Sequence, residues 1–163
     1  MHYTYMGVKI NIGSIWRNLI ISIIILLVLM IFSFYGLYSN HFHFNQLERF
    51  IFPIISVIHF IYLYILWFKV SENEYPDTIM RNIEYIMYVV VLFYIFKIIE
   101  TALLLGTYTE FEGYIIPTTF LPLGIIKISL QILLPVCTIW SFSIRKKKVG
   151  NYNFDYLNEN SDH

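Results

Sequence analysis

Four long apolar runs, at 18–38, 50–68, 83–106 and 118–144, constrain this chain more than any other feature. A helix rises about 1.5 Å per residue, so a hydrocarbon core about 30 Å thick takes about 20 residues, and each run is long enough to cross it. In that medium the backbone must satisfy its own hydrogen bonds, which leaves helices and closed barrels as spanning structures. The runs lack alternation of period two and are about twice the length of a barrel strand. The expected fold is therefore an all-α membrane protein, with four transmembrane helices in an antiparallel bundle and both termini cytoplasmic. A tail over 1–17 precedes it, and a polar tail over 145–163, rich in Asn, Asp and Glu, is expected to be disordered.

Composition enters as a check. Of the 163 residues 58% are hydrophobic and only 13% charged, too few charges to cover a soluble surface of this size. The stretches between runs are shorter than the roughly 50 residues a separate soluble domain needs. The first run is too long for a signal-peptide core and ends Phe34-Tyr35-Gly36-Leu37-Tyr38 without a small-residue cleavage pattern, so it is expected to be retained.

Orientation follows from the cationic residues, because short cytoplasmic loops retain Lys and Arg. Lys9, Arg17, Lys69, Arg81 and the cluster Arg145, Lys146, Lys147, Lys148 fall on one side, and Arg49 alone on the other. The outer loops are then 39–49, with His41, His43 and Glu48, and 107–117, with Glu110 and Glu112. The inner loop is 70–82, with Glu72, Glu74 and Asp77. Trp16, Tyr35, Tyr38, Trp67, Tyr85, Tyr108, Tyr114 and Trp140 cluster near the expected boundaries, where amphipathic rings prefer to sit.

Several chemistries are disfavoured. The single Cys137 permits no intrachain disulfide and no cysteine zinc site. His41 and His43 alone are too few for a metal that takes four ligands, so no metal or cofactor is expected. The formal net charge is zero, and the basic cluster abuts a spanning run, so it reads as a membrane anchor rather than a nucleic-acid contact. The sequence holds no G-x-S-x-G, H-E-x-x-H, P-loop or G-x-G-x-x-G, and an enzyme is not expected.

Ionisable groups inside spanning runs are costly and therefore informative. His59, Lys97, Glu100 and Lys127, with the amide Gln131, form the candidate intramembrane polar network. Measured from Arg81 and Arg145, Glu100 and Lys127 lie at matching depths of about 28 Å and 27 Å, which predicts an ion pair between the third and fourth helices. Lys97, three residues before Glu100, is placed to share that carboxylate. His59 falls near the midplane and is expected to hydrogen-bond Ser56 or a facing helix. Ser22 and Ser33, Ser56 and His59, Glu100 and Thr101, and Gly124, Gln131 and Thr138 mark the faces expected to pack together. Pro135 interrupts the fourth run and is expected to kink it.

The expected role is non-catalytic: a membrane organiser, a trafficking factor or an accessory subunit of a larger membrane complex. The alternative is an oligomeric small channel or transporter with a polar path through His59, Lys97, Glu100 and Lys127. The expected partners are the lipid bilayer and either a membrane protein or further copies of this chain, with no nucleic acid.

Overall fold

The computed structural model describes residues 12–108 and 116–152. Lys9, Glu110, Glu112, Tyr114 and the tail beyond Tyr152 lie outside the described residues. Four helices dominate: α1 (Ile12–Phe34), α2 (Ile51–Ser71), α3 (Thr78–Gly106) and α4 (Phe120–Lys148). All four are long and apolar enough to cross a membrane.

The helices outrun the apolar runs at one end because hydropathy marks the part that suits hydrocarbon, not the caps. Helix α3 begins five residues before its run, at Thr78, since the extended Asp77 accepts the Met80 amide at 2.8 Å as an N-cap. Helix α4 continues through Arg145–Lys148, where four cations complement the negative end of the helix dipole. That turn was expected to belong to a disordered tail. Beyond it Val149 is buried, and Gly150 adopts φ 105°, a reversal that a residue with a Cβ adopts only under strain.

Helix α1 stops earlier than its run. Tyr35–Gly36 (β1) pairs antiparallel with His41–Phe42 (β2), and the left-handed Asn40 closes the turn through its amide on the Gly36 carbonyl at 2.9 Å. Phe34 packs against Phe44 and Phe50, and Tyr35 against Phe42, so aromatic contacts fix the hairpin on the helix ends. A 3₁₀ turn over Leu47–Phe50 then leads into α2.

Each helix packs on its sequence neighbours, α4 returns to pack on α1, and α2 touches α4 across the middle. The buried stripe of α1 holds Ile15, Leu19, Ser22, Leu26 and Leu29, and that of α2 holds Ser56, His59, Leu63 and Leu66. Helix α3 contributes Met80, Glu84, Met87, Val90 and Tyr94, and α4 contributes Gln131, Leu134, Thr138, Ser141 and Arg145. Outward stand Ile24, Ile31, Ile54, Val89, Leu92, Leu103 and Val136, each at least half exposed. Apolar side chains outside and Asn18, Ser22, Ser56, His59, Glu84 and Gln131 inside invert the soluble arrangement. Lipid solvates the first group, and interhelical contacts must satisfy the second. Asn18 illustrates this, donating to Ser141 Oγ at 2.8 Å from α1 to α4.

Candidate functional site

At the hairpin end the helices diverge around a cavity of about 390 Å³. Its α3 wall is Lys97, Glu100, Thr101 and Leu104, whose spacing of i, i+3, i+4 and i+7 puts them on one helical face. Lys127 and Gln131, one turn apart, face it from α4. The rim is formed by Ser33, the hairpin, Gln46, Glu48 and Arg49. Four of the five residues expected in the intramembrane network therefore line one space.

The expected Glu100–Lys127 ion pair is not formed. Glu100 Oε2 instead accepts the Lys97 ammonium at 2.6 Å along its own helix. The physical reason is local: three residues on one helix bring these groups together whatever the spacing of α3 and α4. Lys127 has no ion-pair or hydrogen-bond partner among the described residues, and the charges acting on it are Glu100, Lys97 and Arg49. On the rim, Arg49 Nε donates to Gln46 Oε1 at 2.6 Å and Nη1 to the Ser33 carbonyl at 3.4 Å, so neither contact neutralises its charge. His43 is within hydrogen-bond reach of Ser39 Oγ at 2.6 Å, the outcome of a one-turn hairpin rather than of metal binding.

Below the cavity floor Gln131, Lys97 and Tyr94 line a narrow crevice with Leu29, Phe52 and Leu134. Tyr94 hydroxyl and His59 Nδ1 are 3.0 Å apart, both residues fully or nearly fully buried. His59 thus finds its partner on the facing helix, while Ser56 donates to the Phe52 carbonyl on its own. It does not reach the cavity itself. His59 Nε2, the Tyr62 hydroxyl and Gln131 Oε1 have no hydrogen-bond partner among the described residues. Buried orphans of this kind need an occupant, whether water or ligand.

The opposite end holds a charged group that the sequence reading left out. Glu84, on the first turns of α3, faces Arg145 on the last turns of α4. Arg145 Nη2 donates to Oε1 at 2.7 Å, and Nε lies 2.7 Å from Oε2 with its N–H aimed to one side. The Tyr152 hydroxyl donates to Oε2 at 2.8 Å, and its ring lies 4.3 Å from the guanidinium carbon. Arg145 Nη1 donates to the Gly150 carbonyl at 2.9 Å, so the reversal at Gly150 is what returns Tyr152 to the bundle. Burial, reinforced by the Glu84 carboxylate, pushes the Tyr152 phenol well above its ordinary range, and it stays protonated and able to donate. Arg145 therefore leaves the expected anchor cluster; Lys146, Lys147 and Lys148 remain exposed. The sequence carries the signal: Glu84, three residues past Arg81, lies within about 5 Å in depth of Arg145, as Glu100 matches Lys127 at the other end.

A second cluster staples the C-terminal end of α2 to the N-terminal end of α3. Lys69, 8% exposed, holds Glu74 at 2.7 Å and Asp77 at 2.9 Å. Burial alone would raise the Asp77 carboxyl, but the Met80 amide and the Lys69 ammonium hold it below its ordinary value.

Neither a protein-family model, nor a curated protein, nor a solved structure matches this chain.

Proposed function

We propose that the chain is a non-catalytic multi-pass membrane protein that admits a small polar solute into an intramembrane vestibule, as a small transporter or channel working as a homo-oligomer. The helices run antiparallel across the bilayer with both termini cytoplasmic, and the vestibule opens to the outer side. The cationic loop residues support the orientation. One observation carries the function: a cavity of about 390 Å³ gathers Lys97, Glu100, Lys127 and Gln131 from two helices long and apolar enough to cross a membrane. Of the two roles open from the sequence, solute passage is the one with a geometric feature behind it. The organiser, trafficking or accessory reading rests on short loops and the lack of catalytic motifs in the sequence.

Oligomerisation follows from size, since among the described residues the four helices fill their own centre with Leu26, Tyr62, Leu66 and Met87, all fully buried, which leaves no room there for a pore. The deciding experiment reconstitutes the purified protein in liposomes and measures uptake of a panel of small organic anions, cations and neutral solutes. Uptake above that of empty vesicles, altered by Glu100→Gln, is the expected result. No uptake, together with co-purification of a stoichiometric partner, would return the accessory-subunit reading. Topology is read separately by thiol labelling of Asn45→Cys and Glu72→Cys in a Cys137→Ser background, with Asn45→Cys expected to label from outside and Glu72→Cys only after permeabilisation.

A further inference from the structure

Among the described residues the vestibule's charges are not balanced, and the imbalance points to what it takes. Arg49, Lys97 and Lys127 line it against two described carboxylates, Glu48 and Glu100. Glu100 is engaged by Lys97 at 2.6 Å. Lys127 is left one turn above Gln131, facing a cavity within the span of a transmembrane helix, with no counterion among the described residues. An ammonium held away from bulk water without an anion is costly, and an anionic occupant removes that cost.

Gln131 supplies the second, independent sign. The residue is 5% exposed, lines both the vestibule and the crevice beneath, and keeps its Oε1, the acceptor end of the amide, without a partner among the described residues. The amide has a donor end and an acceptor end of the same shape, and a half-turn presents its NH₂ to an oxygen. A cation and an amide donor at i and i+4 on one face, with Arg49 lining the same cavity, make a donor set for an oxygen-bearing anion. The volume, at about 30 Å³ per water, holds roughly a dozen waters or a small organic acid, and no folded macromolecule.

We propose that the vestibule binds a small oxyanion, a carboxylate or phosphate group, between Lys127 and Gln131. This rests on the solute-passage reading and names its ligand. The same chemistry has two sources, a soluble anion from the outer medium or the headgroup of an anionic lipid, which the test separates.

The full chain in phosphatidylcholine nanodiscs is titrated with potassium phosphate and with potassium acetate, at ionic strength held constant with potassium chloride, and its Tm is followed. A parallel arm replaces part of the phosphatidylcholine with phosphatidic acid. A saturable rise in Tm with either soluble anion, weakened at least tenfold in Lys127→Gln and retained in Lys127→Arg, supports the site with a soluble ligand. A rise confined to phosphatidic acid and lost in Lys127→Gln supports the site with a lipid source. Where Lys127→Gln yields no folded protein, Gln131→Leu reads the same contact. Equal responses in wild type and variant, or no saturable response in any arm, overturn the proposal. Liposome uptake keeps the two ideas apart: uptake without saturable anion binding overturns this site and leaves solute passage standing, whereas binding without uptake does the reverse.

Discussion

The two ends of the helix bundle use the same ingredients, a carboxylate on α3 and cations on α4, in opposite ways. At the end proposed as inner the Glu84 and Arg145 side chains are 3% and 9% exposed, and Tyr152 and the Gly150 carbonyl add hydrogen bonds that leave the Arg145 Nε–H as the unaligned donor. At the end proposed as outer Lys97 and Glu100 are 24% and 54% exposed, while Lys127 and one end of the Gln131 amide have no partner among the described residues. Low dielectric strengthens a network whose charges are paired and penalises one whose charges are not. The inner cluster is therefore a structural tie, and the outer one is a site with capacity to spare.

The largest effect expected from breaking this contrast is at Arg145. Arg145→Ala leaves Glu84 buried without its counterion and should cost about 3–5 kcal/mol, read as a large fall in Tm in detergent. The double change Glu84→Leu with Arg145→Met removes both charges and should recover most of that loss, because apolar replacements of a buried pair are often neutral. A single variant as stable as wild type would show that the inner end is not a tie at all.

Between the two ends stands the His59–Tyr94 contact, buried like the inner cluster but half-satisfied like the outer one. Tyr94→Phe removes the one hydrogen-bond partner that His59 Nδ1 has among the described residues. It should cost about 1–3 kcal/mol in thermal or denaturant unfolding. Adding His59→Leu should return part of it, since an apolar pair leaves nothing unsatisfied. Failure of the second change to recover stability would place a further role, such as holding water beneath the vestibule, on His59.

Asp77 gives a smaller effect with a pH signature. Asp77→Ala loses the N-cap of α3 and should cost about 0.5–2 kcal/mol, whereas Asp77→Asn keeps an acceptor for the Met80 amide and should cost less. The folded carboxyl sits below its ordinary value of about 3.9, so its charge stabilises the fold above that pH. The contribution fades as the pH falls through the lowered value. Asp77→Asn should lower stability at neutrality, where the charge contributes, and flatten the unfolding-versus-pH curve below about pH 4, so that variant and wild type converge in acid.

Much of the fold was legible because one physical demand dominates it: long apolar runs need lipid, and the helices that form lie over those runs. Their ends were not. Asp77 and Arg145–Lys148 are polar, so hydropathy assigns them to loops, yet Asp77 caps α3 and dipole complementarity keeps Arg145–Lys148 in α4. The hairpin escaped for a different reason, since His41-Phe42-His43-Phe44 alternates over too few residues to stand out beside its helical neighbours. In the site, Lys97, Glu100, Lys127 and Gln131 line one space and His59 does not, while the depth of Glu100 and Lys127 along their helices predicted a contact between them. Depth does not encode which side chains touch, and an intrahelical partner took Glu100 first.

That substitution of partners sets the smallest expected stability effect and the most diagnostic one. Glu100→Gln breaks a pair with one member more than half exposed, and such pairs contribute about 0–1 kcal/mol, so Tm should hardly move. Uptake should change far more, since the Lys97 ammonium then joins Lys127 without a counterion in a cavity already rich in cations. For the same reason the charge reversal Glu100→Lys with Lys127→Glu should rescue neither single change, there being no direct contact to restore. A rescued double variant would show that the two residues meet across the vestibule during the working cycle, and a Tm loss as large as that of Arg145→Ala would erase the distinction between the two ends.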